Sequence, residues 1–180
     1  MKNFRLVRDS IDVAPYLDEI ASVPDAWGLN AGRKQKIAVQ RDVDAIPIRG
    51  LRKSKIAGRD KWDVHESRFT NISRNFPKIR ALLTSLAEEL NGELSRARIV
   101  RLPPGGKVYP HIDRGEYYRQ RDRYHLVFVT APGNLLTCED ESVHMKTGEL
   151  WWFENKREHS AENASDVDRI HFIFDLLKRS

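Results

Sequence analysis

Hydrophobic and polar residues alternate along much of the second half of the chain. From residue 97 onward this two-residue period is interrupted by turn sequences such as Pro103–Gly106 and Ala131–Asn134, which is typical of short antiparallel strands. Eight strands that form two sheets would make a jelly roll, the architecture of cupins. The predicted strands are 99–102, 108–112, 125–131, 135–138, 143–145, 149–153, 159–163 and 169–176.

The first half of the chain predicts helices and a few short strands. A helix is expected at 12–22 and a clearer one at 77–90, with short strands at 36–40 and 45–48. Pro77 suits the first turn of the second helix, and Asn91-Gly92 ends it. Its apolar stripe should pack on the outer face of the sheet, on the side of Phe172 and Phe174. The stripe consists of Ile79, Leu82, Leu83, Leu86 and Leu90.

Length and composition indicate a single domain, 1–180, with 1–96 supporting the core and the substrate side and 97–177 forming the core. No apolar run approaches the ~20 residues of a membrane-spanning helix. The N-terminus lacks the features of a signal peptide. Cys138 is the only cysteine, so an internal disulfide is excluded and a cytoplasmic location is expected.

The basic excess lies outside the predicted core. The net charge is +5; residues 1–100 hold 19 Lys+Arg and 13 Asp+Glu, and residues 101–180 hold 12 and 13. The densest basic stretch, 49–61, is expected to be a solvated surface loop, with steering of an acidic substrate as the alternative. Aromatic residues do not interleave with these charges, which argues against a nucleic-acid partner. The sequence indicates no oligomeric state.

His111, Asp113 and His159 are the candidate metal ligands. Residues two apart on an extended segment point to the same face, so His111 and Asp113 can reach one ion together. His159 would join them from a distant strand. Two imidazoles and one carboxylate are the set that holds non-haem Fe(II) while leaving coordination positions open. His-x-Asp alone is a weak signal, and the motifs around it strengthen it.

An arginine followed two positions later by a histidine opens two of the predicted strands. These pairs are Arg123 with His125 and Arg169 with His171, and each pair shares one face of its strand. An arginine in apolar surroundings is costly unless an anion meets it, and its fork of donors suits a carboxylate. Two such arginines near a metal site indicate a small dianion, and 2-oxoglutarate fits.

Several separated segments agree in order and spacing with a known family. Over roughly residues 97–177 the chain resembles the aspartyl/asparaginyl β-hydroxylase family, whose members are Fe(II)- and 2-oxoglutarate-dependent oxygenases. The resemblance implies a mainly β fold, a double-stranded β-helix (jelly-roll, cupin-like) core with flanking N-terminal helices. The segments are 97–113, 123–126, 148–153, 159–163 and 169–172.

The resemblance also implies an activity and residue roles. The expected enzyme is a dioxygenase that uses Fe(II), 2-oxoglutarate and O₂ to hydroxylate an amino-acid or peptidyl side chain (Asp/Asn-type or a related small substrate), giving succinate and CO₂. His111, Asp113 and His159 would be the catalytic iron ligands. Arg169 would grip the far carboxylate of 2-oxoglutarate. Arg123 and His125 would contact this cosubstrate as well. The substrate partner would be a small molecule, a peptide or a protein.

Two alternatives come from other functional classes. A cupin-type metal enzyme that does not use 2-oxoglutarate explains the three ligands but leaves Arg169 without an anion. A non-catalytic jelly-roll binding protein would have a structural metal site, which usually fills every coordination position with protein groups. No fourth ligand lies at a plausible spacing, so the oxygenase is the preferred hypothesis.

Overall fold

Helices cover one side of a β-structure in the computed structural model, which describes residues 1–29, 42–58 and 60–179. The larger helices are α1 (Ala14–Ser22) and α2 (Pro77–Glu89), and a 3₁₀ turn at Ile72–Asn75 leads into α2. A single short turn of helix, α3 (Glu116–Arg119), follows the first two candidate metal ligands.

Strands hold more of the described residues than helices do. In the described part of the chain they are β1 (Phe4–Arg8), β2 (Asp44–Leu51), β3 (Ser67–Phe69), β4 (Gly92–Leu102), β5 (Lys107–His111), β6 (Arg121–Val129), β7 (Asn134–Cys138), β8 (Glu141–Val143), β9 (Leu150–Phe153), β10 (His159–Asn163) and β11 (Arg169–Lys178).

The strands form two antiparallel sheets. Among the described residues, the larger sheet has the order β1-β9-β6-β11-β4-β2-β3 and the smaller one the order β5-β10-β7-β8. Both sheets contribute to one buried cluster, in which Val100, Val127 and Ile173 of the larger sheet meet Leu136 and Ala161 of the smaller one. The sheets therefore face each other, as in a jelly roll, and the predicted fold class is confirmed.

A second buried cluster fills the space between the larger sheet and the helices. It joins Leu83 and Leu86 of α2 to Phe128, Phe172 and Phe174 of the sheet. The prediction that the apolar stripe of α2 packs on the Phe172/Phe174 side is confirmed. Strands β6 and β11 thus supply apolar side chains to this outer core and direct the alternate positions towards the smaller sheet.

Most predicted elements are present with shifted ends. The strand predicted at 143–145 lies two residues earlier in the structure, at Glu141–Val143. Glu139 and Asp140 form a tight turn that pairs Cys138 with Glu141, and β8 begins there. Glu139 adopts a positive φ of 52° in this turn, where glycine or asparagine is more usual. Four described elements have no predicted counterpart: β1, β3, α3 and the 3₁₀ turn at Ile72–Asn75. The predicted strand 36–40 lies outside the described residues.

The N-terminal part of the chain is joined to the core through the larger sheet. Strand β1 pairs with β9, and β2 pairs with β4. We propose on this ground that the chain forms a single domain. No helix within the described ranges has both the length and the apolar composition that crossing a bilayer requires.

Shortening Leu83 to alanine should destabilise the fold strongly. Its side chain is 1% exposed within the outer core, so Leu83→Ala should lower the free energy of unfolding by about 2–5 kcal/mol. Urea denaturation measures the change. The control is Ser85→Ala on the exposed side of the same helix, which should leave the free energy within about 0.5 kcal/mol. Equal effects of the two variants would contradict the assignment of the buried face.

Candidate metal centre

The pairing of β5 with β10 brings the two candidate histidine ligands together. In this antiparallel pair His111, the last residue of β5, lies directly opposite His159, the first residue of β10. Their ring centroids are 4.3 Å apart. Asp113 follows two residues after the end of β5, and the potential ligand atoms of the three residues lie within 4.8 Å of one another. The spacing is compatible with a single metal ion.

Backbone carbonyls fix which ring nitrogen of each histidine is available. The Nδ1 atom of His111 lies 2.8 Å from the carbonyl oxygen of Tyr109, and that of His159 lies 2.9 Å from the carbonyl oxygen of Arg157. A carbonyl only accepts, so Nδ1 is the donor and Nε2 keeps its lone pair for a metal. Burial lowers the pKa of His159 to about 4, so its ring is neutral at physiological pH.

Asp113 is held as a charged carboxylate. Burial acts to raise its pKa, but the Arg123 guanidinium and a hydrogen bond from Asn155 outweigh that effect, and the net pKa is lowered. Its Oδ2 accepts from Asn155 Nδ2 at 3.0 Å and from Arg123 Nη1 in a close contact. Its Oδ1 lies 4.0 Å from His111 Nε2. Two imidazoles and one anionic carboxylate fit a divalent cation of the non-haem iron class.

A cavity between the two sheets opens beside these ligands. Its charged and polar lining includes His111, His159, Arg123, His125 and Arg169. The apolar part of the wall includes Val100, Leu136, Phe153 and Ile173. Five of the six predicted site residues therefore line one cavity. The sixth, Asp113, lies next to the cavity and contacts the lining residue Arg123.

Arg169 is a buried cation with no counter-ion in the described part of the chain. It is 4% exposed, and burial lowers its pKa to about 10. No residue that the structure describes gives its guanidinium a carboxylate or a hydrogen bond. Burying an unpaired charge is costly unless a ligand meets it. The position of Arg169 on the cavity wall is suited to a carboxylate of a bound molecule.

His125 and His171 form a neutral pair next to Arg169. Their Nδ1 atoms are 3.3 Å apart, and burial lowers the pKa of both rings well below the usual value. Because both rings are neutral, one Nδ1 donates to the other and only one of the two residues keeps a proton on Nε2. His125 also lines the cavity, so the part of its ring that faces away from His171 is available to a ligand there.

Comparison with known proteins agrees with this geometry. The model of the family described as aspartyl/asparaginyl beta-hydroxylase matches residues 39–179. The chain belongs to this family. Solved structures extend the likeness to the fold: a 2OG-Fe(II) oxygenase family oxidoreductase from Burkholderia pseudomallei aligns with a TM-score of 0.56 and 12% identity over 96% of this chain and 93% of its own.

Two curated relatives are named as hydroxylases of L-proline. L-proline cis-4-hydroxylase of Rhizobium meliloti (strain 1021) is 31% identical over 114 residues, which is 58% of this chain and 41% of that protein. L-proline cis-3-hydroxylase 2 of a Streptomyces species is 29% identical over 106 residues, 55% of this chain and 36% of that protein. The family member described here therefore matches less than half the length of these relatives.

Two polar residues of the site were absent from the sequence predictions. Asn155 follows β9 in a turn, where no periodicity marks it, and it holds Asp113 through both its side chain and its carbonyl oxygen. Asp175 binds Arg123 from β11. A sequence signal exists for Asp175: it continues the inward alternation of Arg169, His171 and Ile173 as a carboxylate within an apolar strand.

Removing one histidine should strongly weaken metal binding by this family member. We expect His159→Ala to weaken the affinity for Mn(II), measured by calorimetric titration, by more than about 100-fold, because loss of an outer partner alone costs 10–100-fold. His144→Ala is the matched control, since His144 bonds the carbonyl oxygen of Asn134 away from the triad. Undiminished Mn(II) affinity in His159→Ala would rule out this ligand set.

Proposed function

We propose that this protein is an Fe(II)- and 2-oxoglutarate-dependent dioxygenase that hydroxylates an amino-acid or peptidyl side chain. One observation carries the proposal. The two histidines of a His-Asp-His triad line the same inter-sheet cavity as Arg169, a buried cation that meets no carboxylate among the described residues. The triad accounts for the metal, and Arg169 accounts for an anionic cosubstrate, so together they favour this class over a simple metal-binding cupin.

Each site residue has a role in this proposal. His111 and His159 would bind Fe(II) through Nε2, and Asp113 would bind it through Oδ1, since its Oδ2 is occupied by Arg123 and Asn155. When bound, Fe(II), 2-oxoglutarate and O₂ supply the oxidising chemistry that hydroxylates the substrate and releases succinate and CO₂.

The remaining lining residues would bind and orient the cosubstrate. Arg169 would take its far carboxylate in a charge-assisted pair, which the absence of a competing carboxylate among the described residues supports. His125 would contact it from the cavity wall. Arg123 has five N–H donors, of which three bind Asp113 and Asp175, so two remain for such a contact. The apolar wall of Val100, Leu136 and Phe153 would exclude water from the reacting groups.

The substrate class is supported by the named relatives. Both act, by their names, on L-proline, so a free amino acid is the first candidate, with a peptidyl side chain as the second.

The single cysteine, Cys138, is buried, and burial raises its pKa to about 11. An inert thiol and the absence of a disulfide suit the reducing cytoplasm, which we propose as the location.

Anaerobic titration with Fe(II) and 2-oxoglutarate tests the proposed site. The wild-type protein should develop the visible charge-transfer band of a metal-chelated keto acid. Arg169→Ala should need about 100-fold more 2-oxoglutarate for the same band, because removing one partner of a buried charge pair costs 2–5 kcal/mol or more. Arg101→Ala should behave as wild type, since Arg101 pairs with Asp44 outside the cavity. A folded wild-type protein without the band would overturn the proposal.

Thermal melting separates the oxygenase from the two alternative classes. With Mn(II) present, saturating 2-oxoglutarate should raise the melting temperature by about 5 °C or more, because a ligand at 100 times its dissociation constant adds about 2.7 kcal/mol. Succinate has the two carboxylates but no keto group to chelate the metal and should raise it much less. Equal shifts with both diacids would favour a binding protein or a cupin enzyme that does not use 2-oxoglutarate.

A further inference from the structure

Arg123 lies between two carboxylates, the buried one of Asp175 and the partly buried one of Asp113. From one side Asp175 receives a two-pronged contact, Nε to Oδ1 at 2.8 Å and Nη2 to Oδ2 at 3.0 Å. On the other side Nη1 contacts Oδ2 of Asp113 closely. The two partners of the fork have different tasks in the proposed site, since Asp113 is a metal ligand and Asp175 is not.

Asp175 is itself buried and hydrogen-bonded on both sides. It is 3% exposed and lies directly opposite Arg123 in the pairing of β11 with β6. The hydroxyl of Tyr117, in α3, donates to its Oδ2 at 3.0 Å and accepts from the backbone N–H of Arg96 at 2.9 Å. Asp175 therefore connects the guanidinium to the helical turn that follows the metal ligands.

The arrangement fixes which oxygen of Asp113 faces the histidines. Arg123 and Asn155 both bind Oδ2, and Oδ1 is left towards His111. A guanidinium that paired with Asp113 alone would compete with a metal ion for its negative charge. Because Asp175 shares the positive charge of Arg123, Asp113 keeps more of its own charge for a cation.

We propose that Asp175 is a positioning residue of the metal centre, acting through Arg123 on the orientation and charge of Asp113. This inference rests on the proposed function only in requiring that the triad bind a divalent metal. It also gives Arg123 a task before any cosubstrate arrives, and it leaves Arg169 as the principal cation for the anion. A merely structural pair between β6 and β11 would affect folding stability and leave metal affinity unchanged.

The test is the affinity of the full chain for Mn(II) alone, followed by its affinity for 2-oxoglutarate at saturating Mn(II). Asp175→Asn keeps the shape of the side chain and removes its charge. We expect the Mn(II) dissociation constant to rise about 10–100-fold, and the 2-oxoglutarate constant to change by less than about 3-fold. Asp122→Asn is the matched control in β6, because Asp122 pairs with Lys156 and Lys178 away from the triad.

Several outcomes would overturn the inference. Wild-type Mn(II) affinity in Asp175→Asn, with only a lower melting temperature, would reduce the pair to a structural one. If that variant does not fold, Arg123→Lys keeps the charge but loses the fork; the inference expects Mn(II) affinity about 10-fold weaker or worse in it, and undiminished affinity would refute it. A wild-type chain that binds no Mn(II) would refute the proposed function as well, so the two failures are distinguishable.

Discussion

The two-residue alternation of β6 and β11 is the constraint on which the rest of the molecule depends. Both strands lie inside the larger sheet, and each places aromatic and aliphatic side chains in the outer core and ionisable ones in the inter-sheet cavity. A slip of one residue would exchange the two sets. The register of β11 with β6 therefore secures the fold and assembles the site at the same time.

Charge balance within the cavity follows from this alternation. Asp175 lies opposite Arg123 because both belong to the inward set of paired strands. Asp113 reaches the same guanidinium from the segment after β5, so two carboxylates meet one cation. Arg169, at the other end of the inward set, meets none among the described residues. A metal cation and a dianionic ligand would complete this distribution of charge, the cation at Asp113 and one carboxylate at Arg169.

Much of the fold and the proximity of the candidate metal ligands could be predicted from the sequence, because period-two patterns and ligand spacing are local signals. The spacing of His111 and Asp113 and the outer-core positions of Phe172 and Phe174 are examples. The turn at Glu139–Asp140 lacks the usual glycine or asparagine. The strand that follows it, β8, was therefore predicted two residues too late in the sequence. Strand β1 exposes the apolar side chain of Leu6, and α3 is a single turn, so neither element shows the hydrophobic period by which it could be predicted. Asn155 depends on tertiary contacts between a turn and the end of β5, which no local pattern encodes.

The buried ionic groups are hard to explain by stability alone. Replacing a buried ion pair with packed hydrophobic residues is often neutral or stabilising by about 1–4 kcal/mol, so Arg123 and Asp175 add little that leucines in their place could not. Arg169, a buried cation that no described carboxylate meets, lowers the stability of the fold outright. The outer core, where α2 packs on the far face of the same strands, has to offset that loss. An anion that binds only the folded state would restore the lost stability. Binding in the cavity and folding stability are therefore coupled through Arg169.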